Sequence, residues 1–188
     1  MVMFVSFLVQ TANFSIQPQL ALYVTQIMSA ENIAFIAGFA FSVTGLGNLL
    51  ATRSWGILGD RIGYEKVLFF CLVLGAIFFF PQGLVTNIWQ LVILRFFYGM
   101  VIGGIIPGVT AFIRQAAPIS AQGEVLGYNQ SFKFLGNMLG PIMGGLISSY
   151  WSISSVFYFS GSLLIIAAIF MLIMLRKQQD TAVIEKAT

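Results

Sequence analysis

Charge is what this chain has least of, and histidine it lacks altogether. Of 188 residues only 8% are Asp, Glu, Lys or Arg, whereas 59% are hydrophobic. A soluble domain of this size cannot cover itself with so few charges. With no histidine, one cysteine and six scattered carboxylates, there is no ligand set of the usual kind for zinc or haem. No metal and no cofactor is therefore expected. The single Cys71 rules out an intrachain disulfide and reads as a packing residue. A phosphate-cradling P-loop and a Gly-x-Ser-x-Gly elbow are also missing, so the chain is read as a non-enzyme. Its net charge of +3 comes from Lys and Arg that do not cluster on a polar surface, which speaks against a nucleic-acid partner.

What fills the sequence instead is six apolar runs, roughly 4–27, 33–55, 66–85, 88–112, 124–147 and 153–175. A spanning helix needs about 20 apolar residues, and each run meets that length. Barrel strands are about half as long and alternate in polarity, which these runs do not. The expectation is an all-α polytopic membrane protein, with a six-helix bundle over 1–175 and a basic tail over 176–188. Arg53, Arg61 and Lys66 flank the second break, Arg114 opens the fourth, and Arg176, Lys177 and Lys186 lie in the tail. The other breaks hold no Lys or Arg. By the positive-inside rule the basic breaks and both termini are cytoplasmic. The first run has no basic leader and no cleavage site, so it is not read as a signal peptide. It starts almost at Met1, which suggests a chain cut from something longer.

Polar residues inside the runs are the candidates for function, because hydrocarbon cannot satisfy them. Gln10, Asn13 and Gln17 share one helix face, as do Thr44, Asn48 and Thr52, and Gln130, Lys133 and Asn137. Arg95 lies about two turns inside the fourth run, with Tyr98 and Thr110 beyond it. The third and sixth runs carry almost nothing polar in their middles. Four helices with a wet or paired face and two nearly apolar ones suggest a bundle with one polar side. The uncharged groups could simply join helices, at about 0.6 kcal/mol per hydrogen bond. Arg95 and Lys133 have no carboxylate deep in any run to pair with, and Glu31 is the nearest on the outer side. They are expected to face a water-filled cavity, or acidic partners outside this chain. Glycines recur every four residues at Gly99 and Gly103, Gly104 and Gly108, Gly123 and Gly127, and Gly136, Gly140 and Gly144. Such faces let backbones approach closely, while Pro107 and Pro141 permit kinks.

The second break reads Gly56-Ile57-Leu58-Gly59-Asp60-Arg61-Ile62-Gly63-Tyr64-Glu65-Lys66-Val67-Leu68. It resembles the loop signature of the major facilitator superfamily, with Gly56, Leu58, Asp60, Arg61, Gly63 and Leu68 in register. Tyr64-Glu65 stands where the first copy of that signature has two basic residues. Asp60 is expected to accept from a helix N-terminus or a cation, and Arg114 is the cation assigned to it. The fifth run, Gly136-Asn137-Met138-Leu139-Gly140-Pro141-Ile142-Met143-Gly144-Gly145, is similar to the fifth-helix motif of drug:proton antiporters in the same superfamily. Arg95 to Gly99 resembles the start of their fourth-helix motif.

The resemblance implies one six-helix half of a twelve-helix fold, with substrate held between two halves. The altered loop motif, the short basic tail and the resemblance of Tyr128 to Lys133 to an eleventh helix point to the second half. Implied with it is proton-driven export of small amphipathic, drug-like compounds across a bacterial plasma membrane. The partner is the first half of the same transporter or a second copy of this chain. Gln10, Asn13, Gln17, Asn48, Arg95, Gln130, Lys133 and Asn137 would line the cavity, with Phe14, Tyr23, Phe41 and Tyr98 as aromatic contacts. Protons are the implied coupling ion, but no run holds an Asp or Glu deep in the membrane, so their carrier would lie in the other half. The alternative is a truncated, non-transporting fragment or an assembly partner of another half.

Overall fold

A computed structural model describes residues 2–27 and 32–187, apart from the side chains from residue 177 onward. Nearly all of what it describes is helix: α1 (Val2–Ile16), α2 (Gln19–Ile27), α3 (Ile33–Ile62), α4 (Tyr64–Phe79), α5 (Ile88–Ala116), α6 (Gln122–Tyr150) and α7 (Ile153–Ala187). Four stretches are long and apolar enough to cross a bilayer: Ile33–Ile62, Tyr64–Leu84, Ile88–Ala116 and Ile153–Arg176. The other two runs differ for identifiable reasons. The first is broken at Gln17 and Pro18, since proline has no N–H to continue the ladder, and becomes α1 and α2. The fifth forms the long α6, but its amides, Lys133 and small residues dilute its apolarity.

Helices outrun the apolar stretches at the end that carries the basic breaks. The segment from Gly56 to Ile62, expected as a break, is the last part of α3, and the turn into α4 is Gly63 alone. Once a helix leaves hydrocarbon its side chains can be polar, so hydropathy stops before the helix does. Gly63 holds φ 95°, a conformation that costs any other L-residue, and its N–H donates to the Gly59 carbonyl at 3.0 Å. Likewise α7 continues through the expected boundary at 175 to Ala187. The side chains of Lys177 and Lys186 in the basic tail, and Glu31, lie outside the described residues.

Packing follows the glycines. A Cβ at Gly136 would lie 2.7 Å from the Phe7 carbonyl oxygen, one at Gly140 would lie 2.9 Å from that of Thr11, and one at Gly144 would strike that of Ser15. Each step is one turn along both helices, so α1 and α6 run parallel in backbone contact. The α3–α5 pair repeats the arrangement: Gly99 sits against the Thr44 carbonyl, Gly103 against that of Asn48 and Gly47 against that of Phe96. Gly104 meets Cys71 and Trp55, and Gly108 meets Leu68, which seats α5 on α4. Gly123 and Gly127 depart from the expectation, with nothing within 4 Å of an added Cβ. Spacing alone does not supply a partner.

Behind the two seams, α4 and α7 pack on each other and on α5 and α1 respectively. Leu72, Phe79, Phe157 and Leu164 are fully buried there. Exchanging α1, α3 and α4 with α5, α6 and α7 leaves this set of main helix pairs unchanged. The bundle is thus two three-helix units related by an internal two-fold.

Candidate functional site

The two seams place the polar residues of the sequence. On α1, Thr11 and Ser15 turn inward and satisfy themselves, Thr11 to the Phe7 carbonyl at 2.9 Å and Ser15 to the Ser160 hydroxyl at 2.7 Å. Gln10, Asn13 and Gln17 project from the adjoining face and are half-buried. No hydrogen bond from these three side chains to another described residue is formed. Gln10 lies at the seam itself, its Cβ 2.8 Å from where a Cβ of Gly136 would be. Facing it on α6, Lys133 and Asn137 are half-buried and Gln130 is exposed. The register, Gly136 with Phe7 and Gly140 with Thr11, sets Lys133 and Asn137 deeper toward the N-terminal end of α1 than Asn13 and Gln17. One polar line therefore runs along the seam, first from α6 and then from α1.

Asn137 carries an additional feature. Pro141 follows it by four residues and cannot donate to its carbonyl, and its side-chain oxygen is buried without a hydrogen-bond partner among the described residues. In the motif around it, Gly136, Gly140 and Gly144 make the seam. Gly145 faces away, with only the Gln19 amide nitrogen at 3.9 Å.

The α3–α5 seam treats its polar groups differently. Asn48 is half-buried, and Thr52 donates to its carbonyl at 2.7 Å or to its side-chain oxygen at 2.9 Å. Trp55 donates across the seam to the Met100 carbonyl at 2.8 Å. Arg95 does not reach the surface: it is 1% exposed. Its Nε and Nη2, and the hydroxyl of fully buried Tyr98, have no partner among the described residues. Tyr98 and Tyr23, two of the four aromatic candidates, are core residues. Phe14 is half-buried with its Cβ against Gly140, and Phe41 is exposed.

At the α3–α4 turn, the single residue Gly63 folds the Tyr64 ring back over Gly59, where an added Cβ would lie 2.5 Å from it. Its hydroxyl donates to Asp60 at 2.6 Å. The expected Asp60–Arg114 ion pair is not formed: tyrosine is the nearer donor. Arg61 and Arg114 are exposed, and the Arg114 carbonyl accepts from Gln122 at 2.8 Å.

Three pins were not anticipated from sequence. Ser6 donates to Asn129 at 2.7 Å, joining α1 to α6. The Ser15–Ser160 bond joins α1 to α7. Tyr23 donates to the Gln82 carbonyl at 2.7 Å, holding α2 on the turn after α4. A lone serine in an apolar run gives no hint of its partner; only Asn129, within a polar stretch, could have been singled out.

A family model described as the Major Facilitator Superfamily matches residues 2–187. The chain is 50% identical over 179 residues to an uncharacterized MFS-type transporter, YuxJ, of Bacillus subtilis, covering 95% of this chain and 46% of that protein. It is 38% identical to the multidrug resistance protein MdtG of Citrobacter koseri, over 93% of this chain and 43% of the relative. The MdtG of Erwinia billingiae is 36% identical, over 92% and 42%. The chain thus spans less than half the length of these curated relatives.

Proposed function

The chain belongs to the major facilitator superfamily, and from that premise we propose that it forms one six-helix half of a proton-coupled exporter of small amphipathic compounds. It sits in a bacterial plasma membrane with both termini cytoplasmic. In this reading α1 and α2 together make the first span and α6 the fifth, bringing the spans to six. The altered loop motif at Tyr64-Glu65 supports the second half of the transporter, and the other half, or a second copy, meets the polar side. Relatives named for multidrug resistance, at 36–38% identity, support the choice of cargo.

One observation carries the reading: both parallel seams bear polar residues while α4 and α7 behind them are apolar. Such a bundle offers lipid one acceptable side and needs a polar counterpart on the other. Rocking of two halves around a midplane site turns that arrangement into alternating access. Gln10, Asn13, Gln17, Gln130, Lys133 and Asn137 line the path from the α1–α6 seam and Asn48 from the other, with Arg95 set behind. No apolar run carries an Asp or Glu deep inside it, so the proton carrier belongs to the other half.

The test is efflux of a fluorescent amphipathic dye from a host stripped of its own pumps and carrying the full gene product. Wild type is expected to lower dye retention, and Lys133→Met to reduce the efflux rate about tenfold, the scale of losing one buried charge-assisted contact. Unchanged efflux by Lys133→Met removes that residue from the path. No efflux by wild type, with the chain inserted and co-purifying with another six-helix protein, leaves the second reading, a non-transporting assembly partner.

A further inference from the structure

The face of the bundle away from the polar seams is not flat. Between α4 and α7 runs an open groove of about 440 Å³, walled by Phe69, Val73 and Ile77 on one side and by Ile165, Ile169 and Leu172 on the other. Its floor is Ala76 and Ala168, both buried, so two methyl groups stand where larger side chains would have filled the space. Phe80 lies at the far end. At the near end, the one with the basic breaks, both walls are continued by cations. Lys66 lies three positions before Phe69, and Arg176 four positions after Leu172, each one turn further along the same helix face. Both are exposed.

The register brings these two cations together. An added Cβ at Gly75 would lie 3.2 Å from Leu164, and one at Gly161 would lie 3.0 Å from Phe80, so α4 and α7 run antiparallel. Continued along both helices, that pairing sets Lys66 level with residues 173–175, less than a turn from Arg176. We propose that the groove seats one acyl chain of an anionic phospholipid, whose phosphate is held between Lys66 and Arg176. This goes beyond the transport reading and requires only that the bundle spans a bilayer.

Length and charge select this occupant. From Phe69 to Phe80 is about 16 Å along a helix, and half the hydrocarbon core of a bilayer is about 15 Å. The groove thus has the length of a chain from one leaflet. Its walls carry no polar side chain, so a chain is held there by shape and dispersion alone. The headgroup is chosen at the mouth. A guanidinium takes two phosphate oxygens in its plane, while an ammonium adds a mobile point charge, and each such cation near the surface favours anionic lipid. A zwitterionic headgroup brings its own cation to the same place and cancels much of that attraction. Glu65, next to Lys66, is turned to the α3–α4 turn, its carboxylate 2.8 Å from where a Cβ of Gly63 would be. It leaves the mouth positive.

Native mass spectrometry of the purified full gene product reads the occupant directly, with equal amounts of phosphatidylglycerol and phosphatidylcholine of the same acyl chains. The first lipid adduct of wild type is expected to favour phosphatidylglycerol about tenfold. Lys66→Gln combined with Arg176→Gln brings the ratio close to one. Arg53→Gln, an exposed cation on α3 outside the groove, keeps the wild-type ratio. Ile169→Trp fills the groove and lowers the phosphatidylglycerol adduct at least about threefold. Equal adducts of the two lipids in wild type overturn the proposal, as does an unchanged ratio in the double variant. A full adduct in Ile169→Trp overturns it as well, reducing the site to a headgroup contact with no seated chain. A wild-type mass of two copies without lipid overturns it in favour of a second copy on this face. Should Ile169→Trp fail to give a monodisperse protein, Val73→Phe fills the same groove and takes its place. None of these readouts involves efflux, so the dye assay decides the transport reading separately.

Discussion

The α1–α6 and α3–α5 seams both join parallel helices through glycines one turn apart, yet they leave their polar groups in different conditions. Along α1–α6 the inward serines are pinned, Ser6 to Asn129 and Ser15 to Ser160. Gln10, Asn13, Lys133 and Asn137 stay half-open beside them. Along α3–α5 the groups close on themselves, Thr52 on Asn48 and Trp55 on Met100, and Arg95 is drawn inside. Close backbone approach is thus a packing device common to both halves of the internal two-fold. What each seam does with it depends on the side chains that flank the glycines.

The comparison breaks first at the glycines themselves. Gly99→Ala and Gly144→Ala each drive a methyl group into a backbone carbonyl across the seam, and each is expected to destabilise by about 2–3 kcal/mol. Thermal unfolding in detergent checks this, and a large loss in one variant without the other would show that the seams are not equivalent frameworks. Gly63→Ala tests the turn that links the α3 side to α4. Its positive φ, and a Cβ 2.8 Å from the Glu65 carboxylate, predict a loss of about 1–2 kcal/mol by the same assay. Smaller still is Ser15→Ala, which removes the Ser160 bond from the α1 side at about 0.6 kcal/mol. A double-mutant cycle with Ser160→Ala should show that the two changes do not add. Least of all is Gly127→Ala, on the same helix as Gly144 but with open space around it. Unfolding midpoints should place it within about 0.5 kcal/mol of wild type; a loss as large as that of Gly144 would mean that a partner covers this end of α6.

Much of the bundle was legible beforehand, since apolar runs of bilayer length leave the backbone no alternative to helix. The seams were legible as rhythm: Gly99 and Gly103, and Gly136, Gly140 and Gly144, appear in the sequence as they act in the fold. The same rhythm misleads at Gly123 and Gly127, because a small-residue face needs a neighbour at the same height and spacing does not provide one. Pro18, between Gln17 and Gln19, was read through because the run on either side of it has bilayer length, and α3 was cut short at the point where hydropathy, not helix, ends. Asp60 was legible as an acceptor but assigned to a cation, because the charge rule ignores that one glycine turn delivers Tyr64 first.

The candidate residues divide along the same line. Lys133 and Asn137 were singled out by residue type and stand where a partly open seam keeps them. Arg95 was singled out on the same ground and lies inside the bundle, since its exposure is decided by how α5 sits against α3 and α4. Helical form and the positions of glycine and charge are properties of local sequence, written in residues a few places apart. Which glycine meets which carbonyl, and which buried donor is left without an acceptor, depends on register between helices tens of residues apart, and only the tertiary structure sets that.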